Sequence, residues 1–217
     1  AILDSVEKSM SDIGCDVIDL LYIHEPERAG QMRWFHDYNL YDGPVMEALE
    51  EMKQRGWVKW TGVGGTTAHE MAKVIDTGVF DVVQTAFNYS LLWQEARYEI
   101  FPTAKKHDIG IICSAPLQQG SLAVRRDELI ENGAPWISKP RREQFKALYS
   151  FLDEIGMSIV ELSLRFVLSN PDIDCVLVGA KNLKEITETV AYSEKGPLSE
   201  DILKRIEEIY MMVPFRP

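Results

Sequence analysis

Three observations predict an α/β fold of the (β/α)8 TIM-barrel type, with only about five of the eight βα units present in the chain. Apolar runs of strand length alternate with helical patterns along the sequence, as parallel strands joined by helical crossovers require. Polar residues gather where these runs end, at His24, Gly64 to Thr66, Gln84 with Asn88, Ser114, and Lys181 with Asn182, which is how a barrel builds a site from several loops. The rival, a doubly wound dinucleotide fold, lacks its fingerprint: GVGGTT has Gly62 and Gly64 but Thr67 where a third glycine belongs.

The elements follow in order. ILDSVEKSMSDI reads as an opening helix, and because Ala1 rather than Met stands just before it, the chain reads as an amino-terminally truncated single barrel domain over residues 1–217. Strands are expected at 16–24 (DVIDLLYIH), 58–65 (VKWTGVGG), 80–87 (FDVVQTAF), 109–116 (IGIICSAP) and 174–180 (DCVLVGA). Their apolar character suits burial on both faces under helices. The helical patterns are PVMEALEEMKQRG, TAHEMAKVIDTG, ARYEIFPTAKKHD, the pair RREQFKALYSFLDEIG and SIVELSLRFVLSN, and last LKEITETVAYSE, with stops near Gly56, Gly78 and Pro171.

The 217 residues suit one domain with a substantial core, 46% of them apolar. A formal charge of -11 disfavours nucleic acid and anionic membrane surfaces as partners. No run is long and apolar enough for a membrane span, and no signal peptide is visible. Cys15, Cys113 and Cys175 are odd in number and far apart, which fits reduced thiols in a cytoplasm better than a disulfide frame or a metal site.

Alternation puts Leu20, Tyr22 and His24 on one strand face with His24 nearest the loops, so it is either a satisfied structural histidine or a working one. Gln84, Ala86 and Asn88 share a face in the same way, two amides that either meet neighbouring backbone or hold a ligand's carboxamide. The loops GVGGTT and SAPLQQG bring small residues to strand ends, where backbone amides can approach a phosphate or a flat ring, or simply turn. The long connection EPERAGQMRWFHDYNLYDG carries Trp34, Phe35, Tyr38 and Tyr41 as either a substrate wall or an aromatic cap.

The segments DLLYIHEPE, EALEEMKQRGWVKWTGVGG, VVQTAFNYSLL, SAPLQQGSL and VLVGAKNLKEITETV occur in the order and at the spacing found in aldo-keto reductases. The chain resembles that family over essentially its whole length, and is most similar to branches acting on sugars and small aldehydes. The resemblance implies hydride transfer between NAD(P) and an aldehyde, ketone or sugar at the carboxyl mouth of a barrel. It implies that His24 orients the substrate carbonyl and that Trp34 and Tyr38 contact the substrate. It assigns Gly64, Gly65 and Gln84 to the nicotinamide carboxamide, Ser114 to the nicotinamide ring, and Pro116 with Leu117 to the pyrophosphate. Gly179, Ala180, Lys181 and Asn182 fall to the adenosine phosphate, and Glu188 to the adenine amine.

The sequence departs from the family pattern in three places. The aspartate, tyrosine acid and lysine that accompany the histidine belong to the first three βα units, which this chain does not show. Gly64-Gly65 stands where many members have Ser-Asn, so Thr66 or backbone groups are expected to take over, and Ser114 replaces an aromatic. Glu185 occupies a position where NADP users place an arginine, giving a slight lean to NAD. The alternatives are a regulatory, non-catalytic barrel that still binds the cofactor, or an inactive fragment.

Overall fold

The computed structural model describes residues 1–28 and 34–215. Its elements are α1 (Ile2–Ile13), β1 (Ile18–His24), α2 (Pro44–Gln54), β2 (Val58–Gly65), α3 (Ala68–Ile75), β3 (Val82–Ala86), α4 (Ile100–Lys106), β4 (Gly110–Ser114), α5 (Asp127–Asn132), α6 (Lys139–Ile155), α7 (Ile159–Leu168), β5 (Cys175–Leu177), α8 (Leu183–Glu194) and α9 (Glu200–Tyr210). The strands form one sheet in the order β1-β2-β3-β4-β5. Pairing from β1 to β2 and from β2 to β3 is parallel. The expected alternation is therefore realised, with sequential strands as sheet neighbours.

The chain divides into two compact units: residues 1–85 with 99–112, and residues 86–98 with 113–217. In the first, α2 starts with Pro at its first position after Gly43 and lays Val45, Ala48, Leu49 and Met52 into the core, the spacing of one helical face. The chain reverses at Gly56 and Gly78, both at φ 72°, a conformation that favours glycine. Asp81 ties β2 down: its carboxylate accepts from Thr61 N at 2.7 Å and Lys53 Nζ at 2.7 Å. Burial would raise its pKa, but those bonds outweigh the burial and hold it below the ordinary value.

In the second unit α6 and α7 begin with Ser138 and Ser158 as side-chain caps. α7 is buried along most of its length, through Ile159, Leu162, Leu164, Phe166 and Val167. α8 has no buried residue at all, and Leu183, Ile186 and Val190 stand exposed at i, i+3 and i+7. Two helices were not anticipated from the sequence. α5 is a six-residue piece. α9 follows Ser199 and buries Ile206, Ile209 and Tyr210, an amphipathic spacing that was there to be read.

Four strands are shorter than expected: β1 begins at Ile18 rather than residue 16, and two others end early for a backbone reason. β3 stops at Ala86 because Phe87 has φ 68°, and β4 stops at Ser114 because Ala115 has φ 55°. β5 is only three residues long.

Candidate functional site

In the first unit the parallel register sets Tyr22 opposite Gly62 and Val82, and one step toward the loops sets His24 opposite Gly64 and Gln84. Residues in register on parallel strands share a face, so His24, Gly64 and Gln84 form one row across the sheet. At about 4.8 Å per strand, the His24 and Gln84 backbones lie roughly 10 Å apart. Gly64 between them is buried, and a Cβ there would make only ordinary contacts with Gln84 and the Tyr22 ring, none nearer than 3.9 Å. Gly62 has no such freedom, since a Cβ would fall 2.6 Å from the Tyr22 ring, which lies over it. Tyr22 thus packs against the strand, and His24 is the exposed end of that face. Glu25, at φ 48°, turns the chain immediately after His24 and donates its N–H to Gly64 O at 2.6 Å.

The loop after β2 is already filled by a carboxylate. Glu27 is 7% exposed and its Oε1 accepts from Thr66 N at 2.8 Å and Thr67 N at 3.3 Å. These are amides that the GVGGTT reading left open to a phosphate. The Thr66 hydroxyl is taken as well, accepting from Arg28 Nη2 at 2.6 Å and donating to Glu25 Oε1 at 3.3 Å. The expectation that Thr66 replaces the family's carboxamide contacts therefore meets a group bound elsewhere. Gly65 is needed for this arrangement, because a Cβ there would come within 2.4 Å of Glu27 Oε1 and 2.3 Å of Met71 Sδ.

Residues 29–33 of the long connection lie outside the described residues. Beyond them Phe35, Tyr38 and Tyr41 form an edge-to-face ring cluster with centroids 5.2–6.4 Å apart. Tyr41 donates to Glu70 Oε2 at 2.8 Å, and burial together with that carboxylate pushes its pKa up. Tyr41 is a packed donor. Tyr38 belongs to the same cluster, and Trp34 accepts from Val45 N through its carbonyl at 3.3 Å. The shared strand face of Gln84 and Asn88 is corrected by Phe87, whose left-handed backbone interrupts the alternation. Asn88 is buried, and its carbonyl accepts from Ala96 N at 2.9 Å.

In the second unit a cleft of about 600 Å³ gathers Pro116, Leu117, Gly179, Lys181, Glu185 and Glu188, together with Phe87, Gln118 and Val178. One wall is the SAPLQQG loop, whose Ala115, Gln118 and Gln119 all have positive φ. Gln118 holds that shape by donating to Phe87 O at 2.6 Å and Ser90 Oγ at 2.9 Å. The opposite wall is the start of α8. Asn182 caps it by accepting from Glu185 N at 2.9 Å, and Glu185 reaches back to accept from Lys181 N at 2.8 Å and Asn182 Nδ2 at 3.1 Å, a capping-box arrangement. Glu188 lies near Lys184 at 3.8 Å, and the Lys181 ammonium makes no ion pair among the described residues. A Cβ at Gly179 would meet open space.

Ala180 and Asn182 do not line this cleft, and Ser114 is buried behind its loop. Neighbouring Cys113 is fully buried, which pushes its thiol up to about 12, so it is inert. Glu27 and Gln118 are the two residues that sequence reasoning missed. Both act through contacts about thirty or more positions away, for which no local pattern exists.

The family model for the aldo/keto reductase family matches residues 1–211, and the chain belongs to that family. It is similar to a D-threo-aldose 1-dehydrogenase from Pseudomonas sp (26% identity over 192 residues, 87% of this chain and 56% of the relative). It is also similar to an L-galactose dehydrogenase from Arabidopsis thaliana (25% identity, 94% of this chain and 62% of the relative). A third relative is a pyridoxal 4-dehydrogenase from Microbacterium luteolum (24% identity, 90% and 58%). The chain thus spans somewhat over half the length of these proteins. Among the described residues no helix is long and apolar enough to cross a membrane.

Proposed function

We propose that the protein is an NAD(P)-dependent oxidoreductase acting on a small aldehyde, ketone or sugar, and that residues 1–217 belong to one barrel domain. The observation that carries this reading is the 600 Å³ cleft. Its size lies in the range of small-ligand sites, and it collects six of the residues that the resemblance assigned to the cofactor. The donor set fits an adenosine diphosphate moiety. The Pro116–Leu117 loop lies on one side and the open Gly179 backbone on the other, with the Lys181 ammonium, unpaired among the described residues, for phosphate and the Glu188 carboxylate for an amine. When bound, NAD(P) supplies or accepts hydride.

The chain's own part in the chemistry falls to His24. Exposed at the strand end in register with Gly64, its imidazole N–H would hold the substrate's carbonyl oxygen and fix its orientation. The dehydrogenase names of the relatives support the class, and the three free thiols suit a reducing compartment such as the cytoplasm. The test is His24→Ala in a full-length version carrying all eight βα units, with NAD(P) binding and turnover measured separately; residues 1–217 alone, without the tyrosine acid of the first three units, are expected to show no turnover. Turnover is expected to fall on the order of a hundredfold while cofactor affinity changes little. Unchanged turnover would remove His24 from the chemistry. Cofactor binding without turnover in the full-length wild type would make this a binding protein.

A further inference from the structure

A second cleft of the residue 86–98 and 113–217 unit, about 520 Å³, contains none of the residues assigned to cofactor or substrate. Its walls include Trp93, Trp136, Phe145 and Tyr149, and its polar groups include Arg126 and Arg141. Trp93, Phe145 and Tyr149 form an edge-to-face ladder with centroids 6.3 and 5.9 Å apart, while the Trp136 indole stands on the lip, 73% exposed.

The arginines distinguish this cleft from an ordinary aromatic crevice. In a chain of net charge -11, Arg28, Arg55, Arg97, Arg125, Arg165 and Arg205 each pair with a carboxylate. Among the described residues Arg126, Arg141 and Arg142 do not, and two of these three line one cavity. Arg141 lies over the Trp93 ring at 4.6 Å and donates through Nη1 to Leu92 O at 2.8 Å and Gln144 Oε1 at 2.6 Å. Those contacts fix its plane and leave the Nε and Nη2 edge without a partner among the described residues. That edge is the fork that grips a carboxylate through two parallel bonds. The Arg126 backbone is anchored by its N–H to Tyr149 Oη at 3.1 Å, and its guanidinium is exposed. Glu95 is the acid whose charge acts on Arg141, beyond ion-pair distance, and burial raises its carboxyl pKa.

We infer that this cleft is a second ligand site, for an aromatic carboxylate. The ring inserts along the Trp93–Phe145–Tyr149 ladder under Trp136, and the carboxylate meets Arg141 and Arg126. A neutral aromatic would leave two guanidinium groups without a carboxylate contact, and an aliphatic acid would forgo the ring contacts, so the site selects for both features together.

The purified protein should be titrated calorimetrically with 2-naphthoate and with 2-naphthamide. Saturable binding of the acid is expected, roughly tenfold or more tighter than the amide. Arg126→Ala and Trp136→Ala alter exposed side chains and leave the fold intact, and each is expected to weaken 2-naphthoate roughly tenfold. Arg141→Lys, which keeps charge but loses the fork, should do the same. Saturating NAD or NADP should leave the affinity unchanged. The inference is overturned by an absence of saturable binding, by equal affinity for acid and amide, by unchanged affinity in either alanine variant, or by displacement of the acid by the cofactor.

Discussion

The loops after β2 and after β5 solve the same problem in opposite ways. Each carries backbone N–H groups at the entrance to a helix, and each satisfies them with a glutamate. After β5 the glutamate is local: Glu185 stands three residues beyond the cap Asn182 and folds back onto Lys181 N–H, at the surface. After β2 it is remote: Glu27 arrives from the β1 side, 39 and 40 positions from the Thr66 and Thr67 amides it accepts from, and is buried. A local anion can be exchanged for a ligand at little structural cost, while a buried remote one is part of the framework. The β5 loop is therefore the one suited to face a cofactor phosphate, and the β2 loop is a fixed wall.

The largest expected effect follows from Glu27. Glu27→Ala strands two backbone donors and opens a void between β2 and α3, which should cost about 2–4 kcal/mol and lower Tm by roughly 5–12 °C. Glu27→Gln keeps an oxygen acceptor and should lose about half as much. Thermal melts of the two variants beside wild type decide this. If Glu27→Ala melts within a degree of wild type, the loop after β2 is held by something else and the contrast between the loops disappears.

The matching change after β5 should be much smaller. Glu185→Ala removes one backbone and one side-chain bond from an exposed helix start, while Asn182 still accepts from residue 185, so about 0.5–1 kcal/mol is expected. A denaturant series run on both alanine variants gives the ratio of the two losses directly. A Glu185→Ala loss as large as that of Glu27→Ala would mean that exposure and sequence distance are poor guides here.

The same contrast explains what the sequence could reveal. The pattern of Asn182 and Glu185 at the start of α8 is written in four consecutive residues, and the strand Val58–Gly65 and the helices α1 and α8, whose bounds match expectation, are local patterns too. Glu27 was visible only as a polar residue after a strand, since nothing in HEPE says which amides its carboxylate will meet. The shortened β3 and β4 are a different failure. Phe87 and Ala115 adopt left-handed backbone that neither residue type favours, and the surrounding contacts, such as Gln118 onto Phe87 O, impose it. The row of His24, Gly64 and Gln84 was legible through alternation and order, whereas its register required the paired strands.

The smallest effect concerns cofactor choice, and the capping geometry changes how it must be tested. Glu185 and Glu188 both line the proposed adenosine cleft, and a carboxylate within a few ångströms of a 2′-phosphate costs on the order of 1 kcal/mol at a protein surface. Lys181 in the same cleft acts the other way, and among the described residues its ammonium is paired with neither acid. Two acids against one base favour NAD modestly. Glu185→Arg adds a phosphate-binding fork but also abolishes the cap, so a change in affinity would mix two causes. Glu185→Gln comes closer to separating them: its amide oxygen can still accept from Lys181 N, at the loss of the Asn182 Nδ2 bond, while the charge is gone. Titrating NAD and NADP against wild type, Glu185→Gln and Lys181→Ala should show NAD preferred severalfold in wild type, with Glu185→Gln raising NADP affinity about fivefold and lowering stability by less than Glu185→Ala does. If Glu185→Gln leaves the ratio unmoved and Lys181→Ala alone lowers NADP affinity, then Glu185 serves the helix and Lys181 reads the phosphate.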